Sequence, residues 1–434
     1  MDSISEANTP TSDADASHAA SSTGAPVTLV GATVDRTVDV VLERERTAGA
    51  MLSRHLNAAG SALPSLHVVE TVVAHLRLEE SMGGYEAAAL ARPRVEAVYD
   101  AAAELIGAHR DEIALIDSAS SGLRVVLDAL RLRAGARIIA TRATYVSHAL
   151  HLMTLSREEG VVLDIVPTGA DQRTDLAELE RMLQSGPPAV VTVAHVPTSS
   201  GIVEPVIEIG ALVAQYDGFF VLDATQSVGH LAIDVREVGC DVLVTTGRKF
   251  LRAPRGTGFV YVRSSAIARL LPTAPDVRAA HWTELSDWDV DGTARRFETW
   301  EASIAGRLGL GAALEEVLER GIAPTEAWLT AVGRRVRAAL AAVPGVRVAE
   351  PVDTPSAIVT FVVDGIASAD VVARLAQQNV RVVSVPATHG QWDLGTRGIP
   401  AVVRASLHVY NDENDIAALL EHVTVIAGEV AERA

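Results

Sequence analysis

Between Asp241 and Arg263 the chain reads DVLVTTGRKFLRAPRGTGFVYVR. The apolar, β-branched run Asp241–Thr245 has the length and composition of a buried strand. It leads into Thr246, Gly247, Arg248 and Lys249, and a Gly-rich return ends in a second apolar run, Gly258–Val262. Lys249 is the only lysine among 434 residues; every other member of the 37 Lys+Arg is arginine. Arginine stays protonated and serves wherever positive charge is enough. A lysine taken out of water can lose its proton and act as an amine nucleophile. One position has therefore kept the amine where charge alone did not suffice, and small hydroxyl and glycine neighbours leave room beside it for a phosphate.

Working outward, the run Phe219–Asp223 (FFVLD) ends in an aspartate followed by Ala224, Thr225 and Gln226. A carboxylate at the end of a buried strand is costly unless it meets a cation, and a protonated pyridine nitrogen is such a cation. Further upstream, Ser118–Ala119–Ser120–Ser121–Gly122 separates the strand pattern Ile113–Ile116 from a helical pattern at Leu123–Leu132. Free N–H groups at a helix start, with serine hydroxyls, cradle a phosphate. An imine-forming lysine, an acid for a pyridinium and a phosphate cradle make up the parts that pyridoxal 5′-phosphate chemistry requires.

Short apolar runs at Arg137–Ala140, Val161–Val166 and Ala189–Ala194 join those already named, with helical stretches between them. This is a βαβ pattern, so we expect an α/β fold with a mainly parallel sheet covered by helices on both faces. Ligands of such sheets lie at the carboxyl ends of the strands, where Ser118, Asp223 and Lys249 all fall. Residues 1–26 are mostly Ser, Ala, Asp, Thr and Gly and predict a disordered tail. Residues 27–305 read as an N-terminal arm and large cofactor-binding domain, and 306–434 as a linking helix with a small C-terminal α+β domain. The linking helical region is expected to run to about 343, with a hinge near 300–320.

Composition bounds the rest. The profile is globular, with 48% hydrophobic and 21% charged residues. A net charge of -18 argues against a nucleic-acid-binding face. A single cysteine, Cys240, excludes an intramolecular disulfide and any multi-cysteine metal site, and no metal is expected. There is no secretory pattern and no apolar run long enough to span a bilayer, so a cytoplasmic protein without a membrane partner is expected.

The segments HLNAAGSALPS from 55, DSASSGLR from 117, HVPTSSG from 195, VLDATQSVGH from 221, TTGRKFLRAPRGTGFVYV from 245, RRFETWEAS from 295 and VRASLHVYN from 403 occur in an order that resembles the fold-type I pyridoxal-phosphate enzymes of the class V aminotransferase group. The resemblance covers about residues 50 to 430. It implies a seven-stranded-type sheet in the large domain and a homodimer with active sites near the subunit interface. It implies that Lys249 holds the cofactor, that Asp223 pairs with the ring nitrogen, that Gln226 hydrogen-bonds the phenolic oxygen and that Tyr145 stacks on the ring. Ser118, Ala119, Ser120, Thr246 and Arg248 fall at phosphate positions, with Arg248 replacing a histidine common there. Thr198 falls at a cofactor-side position often occupied by asparagine, and Arg404 where the substrate α-carboxylate is bound. The segment 296–301 would approach the partner's site. Tyr85, Trp282, Trp300 and the loop 386–400 are candidates for recognising a bulky substituent, with Tyr85 and Trp300 taken as substrate-binding. His195 and His230 receive no role.

Desulfurases of this group carry a cysteine on the loop before the arginine that corresponds to Arg404. Here that loop is VPATHGQWDLGTRGIPA, without one, and Cys240 reads as buried and inert. The motifs around His55, Met82–Tyr85 and Arg248–Gly256 resemble hercynylcysteine sulfoxide lyases and the lincosamide-pathway enzymes that process S-cysteinyl conjugates. The resemblance implies a C–S β-lyase on a bulky S-substituted cysteine, and the Ala/Arg-rich composition suits an actinobacterial thiol or antibiotic pathway. Decarboxylation coupled to oxidative deamination, epimerisation and transamination of an amino-acid substrate remain open at this point.

Overall fold

The computed structural model describes residues 37–432. The proposed tail at 1–26 lies outside the described residues.

Seven strands form the large sheet: β1 (Ile113–Ile116), β2 (Arg137–Thr141), β3 (Val162–Val166), β4 (Ala189–Ala194), β5 (Phe219–Asp223), β6 (Val242–Thr246) and β7 (Gly258–Val262). Their order is β1-β7-β6-β5-β4-β2-β3. Only the pairings of β7 with β1 and β6 are antiparallel, so the sheet is mainly parallel as expected. The central strands β4 to β7 are buried at every position because both faces are covered, whereas the edge strand β3 is mostly part-exposed and carries Asp164. Along β5, Phe220 and Leu222 enter the core on one face, while Phe219 and Val221 enter the core on the other.

The helix that follows β1 begins at Ala119, one turn before the position that its apolar pattern marks, and Ser118 caps it by accepting the N–H of Ser121. The small residues that read as a turn are its first turn. Gly122 lets that turn lie against the sheet: a Cβ there would sit 2.6 Å from Ile116 Cδ1 and 2.8 Å from Val244 Cγ1.

The helical stretch after 303 is two helices, Ile304–Arg320 and Ile322–Ala341, broken at Gly321 with φ +86°. A four-stranded antiparallel sheet follows, made of β8 (Val346–Val348), β9 (Ile358–Val363), β10 (Val383–Pro386) and β11 (Ala401–Ser406), in the order β8-β9-β11-β10. Its apolar core includes Leu56, Ala58 and Ala59 from the N-terminal segment, Leu231, and Phe250, the residue after Lys249. The second sheet, the segment 56–59 and the lysine loop are therefore packed on one another. A hairpin at Ala280–Glu284 and Asp287–Val290 was not legible as strands, because its alternation is broken by acidic residues and both strands are largely exposed.

Candidate active site

Segments at the carboxyl ends of β1, β2, β4, β5 and β6 converge on a cavity of about 380 Å³. It is lined by Ser118, Ala119, Ser120, Tyr145, Thr198, Asp223, Gln226, Thr246, Arg248 and Lys249, every residue that the sequence assigned to the cofactor.

The geometry explains why these types stand there. Asp223 is the last residue of β5, buried, with Thr225 N–H donating to its Oδ1 at 3.0 Å. Burial raises its carboxyl above the ordinary range, opposed by the Thr225 hydrogen bond and by Lys249. Lys249 is buried too, and desolvation brings its ammonium down to about 7; Asp223 opposes this, whereas Arg248 and Arg404 add to it. A buried amine that holds its proton weakly is suited both to attack a carbonyl and to carry protons. Its Nζ stands 5.9 Å from the centre of the Tyr145 ring.

At one end of the cavity, the first turn of helix Ala119–Ala129 presents the donors of a helix N-terminus beside Ser118, Thr246 and Arg248. Arg248 also donates to the carbonyl of Gly60. At the other end, Gln226 Nε2 donates to Ala59 O at 3.0 Å and to Thr198 Oγ1 at 3.3 Å. Arg404 lies on β11, buried, and donates to the Thr198 hydroxyl, to Thr198 O at 3.2 Å and to Asn57 Oδ1 at 3.2 Å. Burial lowers the Arg404 guanidinium to about 10, with Arg248 adding to the effect and Tyr145 opposing it.

Buried polar atoms in and around this cavity that lack a partner include Gln226 Oε1, Thr225 Oγ1, His148 Nδ1 and Arg404 Nε. Buried polar groups are almost always paired, so such atoms mark where a polar ligand belongs. Together with the carboxylate of Asp223 and the helix start, this donor and acceptor set fits pyridoxal 5′-phosphate, with Lys249 placed to hold it covalently.

Arg404 is buried against Thr198 and Asn57 and is not among the residues that line the cavity, and two further assigned residues stand elsewhere. Tyr85 and Trp300 are 79% and 58% exposed and do not line the cavity. Residues that sequence reasoning did not assign do take part. His148 and Arg255 line the cavity, and Asn57 holds Arg404. Asn57 lies in the HLNAAG segment quoted above, which was the available signal for it. Cys240 is fully buried at the amino end of β6, with its thiol pushed up to about 12 by burial. Lys249 lies beyond the carboxyl end of that strand, whose five residues alone span about 16 Å of extended chain.

Residues 55–419 match the aminotransferase class-V family. A probable hercynylcysteine sulfoxide lyase of Mycobacterium tuberculosis (strain CDC 1551 / Oshkosh) is 31% identical over 370 residues, covering 85% of this chain and 88% of that protein. A probable cysteine desulfurase of Methanothermobacter thermautotrophicus is 25% identical over 381 residues, covering 86% and 94%. Among solved structures, the apo cysteine desulfurase from Thermococcus onnurineus NA1 superposes with a TM-score of 0.82 at 23% identity, covering 89% of this chain and 97% of its own, and so shares the fold.

Proposed function

The chain belongs to the class V aminotransferase family as a pyridoxal-phosphate-dependent lyase, and we propose that the bond it breaks is Cβ–S of a cysteine whose sulfur carries a bulky substituent. The observation that carries this reading is the pairing of a proton-labile lysine in the cavity with the absence of a usable thiol. Cys240 is buried at the far end of β6, and the loop from Val385 to Ala401 has no cysteine to accept sulfur. A route through an enzyme persulfide has no nucleophile here.

Covalently held at Lys249, the cofactor supplies an electron sink for the substrate Cα. Arg404 takes the substrate carboxylate, for which its free Nε and planar guanidinium are suited. Thr198 and Asn57 hold that guanidinium in place. Asp223, buried at the end of β5, would pair with a protonated ring nitrogen of the bound cofactor. With its ammonium lowered to about 7, the Lys249 amine would be the group that accepts the Cα proton. The electron pair of the broken Cα–H bond forms the Cα–Cβ double bond, and the Cβ–S pair departs with sulfur as a thiolate, which takes up a proton. Hydrolysis of the remaining enamine yields pyruvate and ammonia. We read Tyr85 and Trp300 as residues that would meet the substituent only across a homodimer interface.

A panel of cysteines with aryl, alkyl and heterocyclic S-substituents, and their sulfoxides, tests this. Pyruvate and the sulfur-containing fragment are expected in equal amounts from at least one bulky member. Release of carbon dioxide with oxygen uptake, racemised substrate, or a keto acid that retains its sulfur would each replace the lyase reading.

A further inference from the structure

Behind Lys249 lies a column of four buried rings. His230 stacks on Phe250 with centroids 4.2 Å apart and planes at 16°. Phe250 stacks on His408 at 5.6 Å, and His408 on Tyr410 at 5.2 Å. All four are fully buried. The column runs from the turn that carries Gln226, through the residue adjacent to Lys249, to the segment that follows Arg404 on β11.

The hydrogen bonds at its ends are directional. Ala357 N–H donates to His230 Nε2 at 2.9 Å, so that nitrogen is the acceptor. Nδ1 then carries the proton and donates to the Gln226 carbonyl at 3.0 Å. His408 is likewise fixed: its Nδ1 accepts Val409 N–H at 2.9 Å, and Nε2–H donates to Phe250 O at 3.1 Å. Each imidazole is a neutral bridge with one donor and one acceptor in use. The fit beneath Phe250 is close as well, since a Cβ on Gly229 would lie 2.7 Å from Phe250 O.

We propose that His230 is a positioning residue for the cofactor site: it ties the Gln226 backbone to Ala357 and braces Phe250, so that the Gln226 amide and the Lys249 amine keep a fixed relation to the cofactor ring. His230 touches neither substrate nor cofactor. The inference rests on the cofactor assignment but not on which bond the enzyme breaks.

The test uses the cofactor-loaded enzyme. His230→Phe keeps the stacked ring and removes both hydrogen bonds, whereas His230→Asn keeps an N–H near the position of Nδ1. The readout is the pH midpoint of the visible absorption band of the lysine-bound cofactor, with kcat and KM for any substrate that turns over. In His230→Phe the midpoint is expected to move by about half a unit or more, a roughly threefold change in the protonation equilibrium. The fall, up to about tenfold for each hydrogen bond lost, is expected in kcat rather than KM. His230→Asn is expected to recover most of both. A folded His230→Phe enzyme with the wild-type midpoint and kcat overturns the proposal. So does an Asn variant no better than Phe, because the hydrogen bond to Gln226 would then not matter. Should His230→Phe fail to fold, Gly229→Ala displaces Phe250 directly and is expected to shift the same midpoint; an unshifted band there also overturns it.

Discussion

Lys249 is the only lysine side chain of this protein, so a lysine-directed reagent reports on its environment alone. In the cofactor-free protein, burial brings its ammonium from 10.5 to about 7, with Asp223 opposing and Arg248 and Arg404 reinforcing. An amine reacts only when unprotonated. At pH 7 a lysine of ordinary basicity is neutral in about one molecule in 3,000, and Lys249 in about half, a reactivity advantage of roughly 1,500-fold at equal access. The perturbation is a pH series from 5 to 10 with an amine-directed acylating reagent, and the assay is mass-spectrometric quantitation of the peptide that contains Lys249. The rate is expected to rise about tenfold per pH unit below 7 and to level off above it. Any terminal α-amine titrates nearby but is found on a different peptide. Asp223→Asn removes the charge that holds the proton, so the midpoint should fall. Arg404→Leu removes a repelling cation, so it should rise. A midpoint above 9 in the parent protein would refute the desolvation argument, and an upward move in Asp223→Asn would refute the pairing of the two residues.

Further outcomes follow from the same geometry. Lys249→Ala is expected to lower C–S cleavage more than a hundredfold, the usual worth of a positioned acid–base group, which steady-state pyruvate release would read. Arg404→Ala is expected to raise KM by about tenfold or more with a smaller change in kcat, because it deletes a charge-assisted contact of about 1.5–3 kcal/mol to the carboxylate. Outside the cavity lining, Arg337 is fully buried, ion-paired with Glu350 at 2.9 Å and donating to the carbonyls of Thr354, Ser356 and Ile358. Arg337→Ala should cost about 3–5 kcal/mol, since it leaves Glu350 buried without its partner. Denaturant titration of the variant measures it.

The large sheet was legible because strands buried on both faces are apolar at nearly every position, and β1, β4, β5 and β7 begin and end where those runs do. The cavity was legible where chemistry restricts residue type: a single lysine, an acid closing an apolar strand, and hydroxyl residues at a helix start. The helix start at Ala119 was not, because what sets it is the Ser118 cap and the fit of Gly122 against Ile116 and Val244 from other parts of the chain. Asn57 and the carbonyls of Ala59 and Gly60 reach the site from about 190 residues upstream of Lys249, and no local pattern announces such a meeting. The His230–Phe250–His408–Tyr410 column is invisible for the same reason, since its rings come from three separate segments. Tyr85 and Trp300 mark the opposite limit: being aromatic and near a motif does not place a side chain in a cavity.

Everything proposed for the chemistry depends on Lys249 as the attachment point of the cofactor. Borohydride reduction of the loaded enzyme, followed by peptide mass analysis, examines that directly. The account predicts one phosphopyridoxyl group per chain, on the peptide that contains Lys249, and none in Lys249→Ala. A reduced protein that retains its cofactor while the Lys249 peptide is unmodified would contradict it.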